Sequence, residues 1–229
     1  MTSRAAWAEK KLRYTFNDPS LLERALTHRS ASKDNNERLE YLGDSFLSFA
    51  VARRLYELRP EDAEGDLSRA RAALVKESTL AAIGQHLGLD SQMVLGAGEL
   101  RTGGAQRGAV LADAVEAIIG AVLLDGGTAA AEALIDLLFA EHLAELPDAE
   151  ALKDAKTKLQ EWLQGHGHRL PAYAVRSIQG RDHEQTFVVS CEVTEKNAST
   201  TGQGPSRRRA EQEAAAAMLS VLIGERDPR

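Results

Sequence analysis

Cysteine and aromatic residues are scarce in this sequence of 229 residues. The single cysteine, Cys191, excludes an internal disulfide framework and a metal cluster held by several thiolates. It lies in a stretch of alternating apolar residues, which favours a small core residue over a nucleophile. Phe, Trp and Tyr make up 5% of the chain, which argues against the base stacking by which proteins hold single-stranded nucleic acids.

Long apolar runs are also missing. A run such as Ala114–Leu124 is interrupted by Glu116 and Gly120 and is shorter than a membrane span. The segment Met1–Arg13 mixes charged residues with alanines and lacks the apolar core of a secretory signal. With 43% apolar and 27% charged residues, the composition is typical of a globular protein. We therefore expect a cytoplasmic protein with no membrane partner.

The formal net charge of −6 is by itself unfavourable for binding a polyanion. The charge is unevenly distributed, however. Residues 153–223 contain ten Lys and Arg against eight Asp and Glu, so this part carries +2 and the rest of the chain −8. A basic tail on an acidic body suits a nucleic-acid-binding protein if bound cations neutralise part of the acid.

The first part of the chain has a helical pattern up to about Leu143, because apolar residues recur three and four positions apart. Turn signals interrupt it at Asn17–Asp18–Pro19, Gly88 and Gly126–Gly127. The stretch Gly96–Gly108 holds five glycines and predicts a mobile loop. It leads into a strongly apolar helix that we predict over Val110–Leu124.

The pattern changes after residues 147–153, where Pro147 and small charged residues predict a linker. A short helix is predicted first, and Phe187, Val189, Cys191 and Val193 then alternate with other residues as in a half-buried strand. The predicted elements are a helix at Lys156–Gly165, strands at Tyr173–Ile178, Thr186–Val193 and Ser199–Gly202, a turn at Gly180–His183, and a last helix capped by Ser206 that buries Ala210, Ala214, Ala217, Met218 and Val221. The prediction is thus a multidomain chain, with an all-α domain over 1–146 and a small α+β domain of order α-β-β-β-α over 154–224.

Acidic residues recur at helical spacing in two segments. Glu37, Glu40 and Asp44 share one face of a helix. Asp113 and Glu116 lie one turn apart on a helix that is otherwise apolar, and carboxylates there need a cation or another partner. If the two helices pack together, four carboxylates meet. Oxygen ligands without nearby His or Cys suit Mg²⁺ or Mn²⁺, and such a site suits hydrolysis of phosphodiesters.

Two other interpretations of these segments remain open. Acids at helical spacing often form a solvated face or pair with neighbouring arginines, as Glu37 could do beside Arg38. Gly43–Asp44–Ser45 also resembles the nucleophile block of a GDSL-type serine esterase, although it lies within a predicted helix and not on a strand-to-helix turn.

The segments Asn36–Ser45 and Leu111–Ala117 resemble the two signature blocks of the bacterial ribonuclease III family, and the resemblance runs over nearly the whole chain. It implies that Glu40, Asp44, Asp113 and Glu116 bind a catalytic metal, Mg²⁺ with Mn²⁺ as a substitute. Of these, it gives Asp44 and Glu116 catalytic roles, with Glu37 and Glu64 as supporting acids near the scissile strand. Glu64 has an alternative as a solvated residue of a charged loop in which Asp66 caps the next helix.

The order of helix, three strands and helix resembles the double-stranded-RNA-binding domain. Such domains recognise the ribose hydroxyls and phosphates of A-form RNA. The resemblance implies minor-groove contacts by polar residues of the first helix and of the strand-connecting turn, and phosphate contacts by a basic helix N-terminus. These residues are Thr157, Gln160, Glu161 and His183, and then Arg207, Arg208 and Arg209. The alternative is a solvated basic patch, and Glu211 departs from the family's continued basic run.

The resemblance implies an endoribonuclease that hydrolyses double-stranded RNA with a metal-activated water. The implied products carry a 5′-phosphate, a 3′-hydroxyl and a short 3′ overhang, and the implied substrates are precursors of ribosomal RNA, messenger RNAs and other structured RNAs. A homodimer is expected from the family and from the two-fold symmetry of a duplex. The rival interpretation is a protein that binds double-stranded RNA and does not cut it.

Overall fold

The computed structural model describes residues 3–104, 107–181 and 184–224. The chain divides into two compact units, Met1–Leu152 and Lys153–Arg229. The first is helical and the second contains a three-stranded antiparallel sheet with helices. The predicted fold class is therefore confirmed. The domain bounds 1–146, 147–153 and 154–224 stay a prediction.

Helices α3 and α7 form the centre of the first unit, where they pack along each other, and α2 and α5 also pack on α7. This surrounding explains why the sequence of α7 is so apolar, since Leu111, Ile118 and Ile119 are fully buried. The helices of this unit are α1 (Arg4–Leu12), α2 (Pro19–Ala25), α3 (Glu37–Leu58), α4 (Glu64–Leu74), α5 (Glu77–Leu87), α6 (Ala97–Arg101), α7 (Gly108–Ala144) and α8 (Ala149–Leu152), with a 3₁₀ turn at Leu89–Ser91.

The turn signals mark real ends of helices. Asp18 accepts a hydrogen bond from the backbone N–H of Ser20 and caps α2, whose first residue is Pro19. Gly88 ends α5 in the left-handed conformation, at φ 72°. The helix predicted at Val110–Leu124 is longer than expected, because α7 resumes after an interruption at Gly127 (φ 78°, ψ −175°).

The segment Gly96–Gly108 differs from the predicted loop. Five of its residues form α6, and its later residue Arg107 pairs with Glu99 at 2.8 Å. This segment thus contains a short helix and an ion pair, whereas its glycines predict a mobile loop. Elsewhere among the described residues of this unit, β pairing is limited to one parallel bridge between Thr27 and Val94.

The second unit places its sheet, in the order β1-β2-β3, against two helices. Its core contains Leu159, Leu163, Cys191, Val193 and Met218, so Cys191 is the core residue that was expected. The elements are α9 (Ala155–Gly165), β1 (Ala172–Gln179), β2 (Thr186–Val193), a 3₁₀ turn (Thr194–Lys196), β3 (Ala198–Gly204) and α10 (Arg207–Gly224).

One detail of the prediction needs correction. The buried face of α10 includes Ala215 and Leu222, whereas Ala217 is half-buried and Val221 is 41% exposed. The predicted buried face of α10 is wrong at these positions because runs of alanine leave the helical period of its apolar residues ambiguous. Within the predicted linker, α8 contacts α4 of the first unit. No helix in the described ranges is long and apolar enough to cross a membrane.

Candidate metal centre and nucleic-acid interface

The metal centre depends on a close crossing of α3 and α7. A Cβ atom at Gly43 would lie 1.8 Å from the carbonyl oxygen of Glu116, and one at Gly120 would lie 2.2 Å from the carbonyl oxygen of Leu39. Neither position has space for a side chain. The two backbones are therefore in contact, and carboxylates that flank the crossing on each helix are brought together.

Three of the predicted metal ligands meet at this crossing. Glu40, Asp113 and Glu116 each offer a carboxylate oxygen, and these three atoms lie within 4.8 Å of one another. All three residues are half-buried. Hard oxygen donors at this spacing, without a thiolate or imidazole among them, fit a small divalent cation.

The pKa values of these carboxyls point to the same need for a cation. Burial, and then the negative charges of Asp44, Glu40 and Asp113, raise the pKa of Glu116 to about 8. Burial also raises the pKa of Glu40, with further contributions from Asp113 and Glu37. The pKa of Asp113 is raised by burial although the nearby His28 lowers it. A divalent ion would offset this repulsion and allow all three groups to ionise.

The other predicted acids lie outside the group of three. Asp44 is exposed, but among neighbouring charges it contributes most to the raised pKa of Glu116. Glu37 is exposed and pairs with Arg29 at 3.6 Å, not with Arg38. Glu64 is the first residue of α4 and accepts a hydrogen bond of 2.8 Å from the Ser68 hydroxyl.

Two of the alternative interpretations are wrong. Asp66 does not cap α4, because the residue at the N-cap is Ala63 and Asp66 instead pairs with Arg69 at 2.6 Å. Ser45 lies inside α3 and its hydroxyl donates to the carbonyl oxygen of Tyr41 at 3.0 Å. A serine bound in this way within a helix lacks the strand-to-helix turn that an esterase nucleophile requires.

A cavity of about 550 Å³ adjoins Glu40 and Asp113, and sequence reasoning missed several of its lining residues. His28 and Arg29 reach it from the turn after α2, and Arg107 reaches it from the start of α7. Spacing along the chain gives no signal for them, because the long-range bridge at Thr27 positions this turn.

Asn36 also lines this cavity. It is 3% exposed, and its Nδ2 atom has no hydrogen-bond partner within the described part of the chain. An unpaired buried amide is costly, about 1 to 3 kcal/mol. One feature of the sequence could have identified Asn36, which is the first residue of the signature block and directly precedes α3.

In the second unit, the first turns of α9 and α10 lie side by side. The Lys156 backbone N–H donates to Gln212, and the Lys156 ammonium contacts Glu211 at 2.6 Å. Gln160 and Glu161 are exposed on α9, and Thr157 is half-buried. These contacts place the start of α10 beside the first turn of α9. His183 lies outside the described residues.

The three arginines are not equivalent. Arg207 pairs with Glu211 at 2.8 Å, whereas Arg208 and Arg209 are exposed and form no ion pair among the residues described. Glu211, the departure noted in the sequence, therefore pairs with one member of the cluster, although it also pairs with Lys156.

Comparison with known proteins identifies the family. Residues 18–143 match the family model described as ribonuclease-III-like, and residues 155–222 match the double-stranded RNA binding motif. The protein named ribonuclease 3 from Glaesserella parasuis is 50% identical over 93% of this chain and 96% of its own length. The chain belongs to the ribonuclease III family. The predicted type of enzyme, a ribonuclease III-type endoribonuclease, is confirmed.

Further members of the ribonuclease III family show the same likeness. The ribonuclease 3 of Delftia acidovorans is 53% identical over 93% of each chain. Among solved structures, the nuclease domain of ribonuclease III from Campylobacter jejuni is 43% identical, with a TM-score of 0.57 over 58% of this chain and 95% of that one. The resemblance seen in the signature blocks is thus confirmed as ribonuclease III membership.

Proposed function

We propose that this chain hydrolyses phosphodiester bonds of double-stranded RNA with the aid of Mg²⁺ held by Glu40, Asp113 and Glu116. The observation that carries the proposal is the approach of these three carboxylates within 4.8 Å, in a chain that also bears a double-stranded RNA binding motif. Mn²⁺ takes the same oxygen ligands, so we expect it to substitute.

The acidic residues divide into ligands and supporting groups. Glu40, Asp113 and Glu116 would hold the ion, and we propose Asp44, whose charge acts on Glu116, as a further ligand. An ion held there would activate a water molecule and stabilise the leaving oxygen. Glu37 and Glu64, at the N-termini of α3 and α4, orient the scissile strand.

Attack of water on phosphorus with departure of the 3′-oxygen leaves a 5′-phosphate and a 3′-hydroxyl. Offset cuts on the two strands give a short 3′ overhang. We propose precursors of ribosomal RNA, messenger RNAs and other structured RNAs as substrates, because duplex segments are what the binding motif recognises.

The second unit, which we assign to residues 154–224 after a linker at 147–153, holds the duplex. Thr157, Gln160, Glu161 and His183 contact minor grooves, and Arg208 and Arg209 contact phosphates. The pairing of Arg207 with Glu211 makes it the weakest of the three arginines.

We also propose a homodimer. The strands of an antiparallel duplex are related by two-fold axes, so two copies of the chain place one metal centre on each strand. The structure from Campylobacter jejuni is described as having a region involved in dimer formation of its nuclease domain.

The test incubates a perfectly paired RNA duplex with the full chain, with and without Mg²⁺, and compares the parent with Glu116→Gln. The control, Glu9→Gln, makes the same change at an exposed residue of α1. We expect Glu116→Gln to bind the duplex as the parent does but to cut it at least about 100-fold more slowly, a loss of about 2.7 kcal/mol in transition-state stabilisation. A parent that binds the duplex and cuts it with neither Mg²⁺ nor Mn²⁺ would instead be a binding protein.

A further inference from the structure

A second cavity, of about 570 Å³, lies in the first unit where the C-terminal ends of α1, α5 and α7 meet. It shares no lining residue with the cavity beside the metal ligands. Its apolar part comes from Ile83, Leu87, Leu137 and Leu138. The volume falls within the roughly 300 to 1,000 Å³ of small-molecule sites.

The polar part of this cavity is basic, although the unit that contains it is acidic. Lys10, Lys11 and Arg13 line it together with His86 and His142, and Glu141 is the one lining acid. Within the described residues, none of the three permanent cations forms a salt bridge. This local reversal of charge favours an anionic ligand.

The ends of the helices account for only part of this charge. Backbone carbonyls at a helix C-terminus attract cations, and the Lys11 ammonium donates to the carbonyl oxygen of His86 at 3.3 Å. Lys10 and Arg13 make no hydrogen bond of this kind in the part of the chain described. Their charge therefore remains available to a ligand.

The backbone of Arg13 supplies a separate indication. This residue follows α1 in the left-handed conformation, at φ 53° and ψ 36°. Glycine is favoured at this position after a helix, and the conformation costs other residues about 1 kcal/mol. An arginine in this strained conformation, lining a cavity, indicates a role for its side chain.

We propose that this cavity binds a nucleoside phosphate. Its phosphate pairs with Lys10 and Arg13, and its base packs on the apolar part formed by Ile83, Leu137 and Leu138. Inorganic phosphate would leave the apolar part uncovered, and an uncharged ring would leave the cations unpaired. The site is separate from the metal centre and adds a ligand to the proposed endoribonuclease.

The test is calorimetric titration of the full chain, kept in EDTA so that cation-bridged binding at the carboxylates does not contribute. The ligands are ADP, adenosine and inorganic phosphate. We expect a Kd for ADP below about 100 µM, and at least tenfold weaker binding of each of the other two. The variant Lys10→Gln/Arg13→Gln should lose at least tenfold in ADP affinity. The control Lys33→Gln/Lys196→Gln removes the same charge at exposed residues outside the cavity and should bind ADP as the parent does.

A second variant tests the apolar part of the cavity. Ala82 is an exposed lining residue, so Ala82→Trp fills the space without removing a charge. We expect it to abolish the preference for ADP over phosphate and to leave the melting temperature unchanged. The proposal is overturned if ADP does not bind at 1 mM, if the double variant binds it equally well, if phosphate binds as tightly as ADP, or if duplex RNA or an acidic peptide displaces ADP. All these readouts are independent of RNA cleavage.

Discussion

Gly43 and Gly120 face each other across the crossing of α3 and α7, with a Cβ atom at Gly43 only 2.9 Å from the backbone nitrogen of Gly120. The two positions set the separation of the helices, and that separation sets the distance between Glu40 and Glu116. The arrangement of the metal ligands is thus determined by backbone contact and not by the ligands themselves.

Substitution of Gly43 by alanine should therefore damage stability and activity together. The added methyl group forces α3 away from α7, and we expect a loss of about 1 to 3 kcal/mol in unfolding free energy and at least tenfold slower Mg²⁺-dependent cleavage. Urea denaturation and cleavage of a paired RNA measure the two effects.

At Gly65 a Cβ atom meets only the Arg69 side chain, at 3.5 Å or more. Gly65→Ala should thus be stable, and equal losses in both variants would contradict the crossing as the cause.

Binding of a divalent cation should release a proton at neutral pH. With a pKa of about 8, Glu116 is largely protonated in the ion-free protein at pH 7 and must ionise to become a ligand. Mg²⁺ affinity should rise with pH and level off above about 8. Calorimetry in buffers of different ionisation enthalpy measures the proton, and Glu116→Gln should release none from this position.

Because the pKa of Glu116 is raised, the folding stability of the protein without a bound cation should depend on pH. The folded state holds the Glu116 proton more tightly than the unfolded state, where the pKa is 4.5. Stability from this group is therefore lost as the pH rises from about 4.5 to about 8. Mg²⁺ should raise the melting temperature more at pH 8 than at pH 5.5. An equal rise at both pH values would show that Glu116 is ionised before the cation binds.

The ionised carboxylate of Asp154 should stabilise α9, and this stabilisation should be lost when the carboxylate is protonated at low pH. Burial alone would raise its pKa, but hydrogen bonds from Thr157 and Gln212 lower it, and its carboxylate caps the helix by accepting from the Thr157 N–H at 2.9 Å. This stability is present above the unfolded pKa and is lost as the pH falls through the folded value. Asp154→Ala should cost about 1 kcal/mol at pH 7, seen as faster amide hydrogen exchange in α9, and this cost should shrink as the pH falls through the folded pKa.

The three arginines of α10 should differ in their contribution to RNA binding. Arg208→Ala and Arg209→Ala each remove a cation that forms no ion pair with the residues described, so we expect weaker binding and a salt dependence reduced by about one unit of log-log slope. Arg207→Ala should have the smaller effect, because Glu211 already pairs with this side chain. Titration of a paired RNA at several KCl concentrations measures all three, and equal slopes for the variants would show that the pairing does not persist in solution.

Local patterns predicted much of this fold. The alternation of residues predicted β2 with the bounds Thr186–Val193 that the structure has. Asp113 and Glu116 could be singled out because carboxylates on an apolar helix require compensation. In each case the signal lies within one element and needs no knowledge of its neighbours.

Features that depend on contacts between distant segments could not be predicted in this way. His28 and Arg29 join the cavity beside the metal ligands because a bridge connects Thr27 to Val94. The separation of Asp44 from the other three carboxylates depends on how α3 and α7 pack against each other. Neither is encoded in the spacing of residues along one helix.

Strand β1 lies at the edge of the sheet, with Val175 40% exposed and Ile178 54% exposed. An apolar edge strand is a template on which a second copy of a chain can add a strand and begin to aggregate. The register shifts between Val175 and Ser177, and Arg176 turns towards β2, where it bonds to Ser190 and Glu192. This irregularity breaks the row of backbone groups that an incoming strand would need. We therefore expect the bulge to disfavour pairing of β1 with a second copy of the chain.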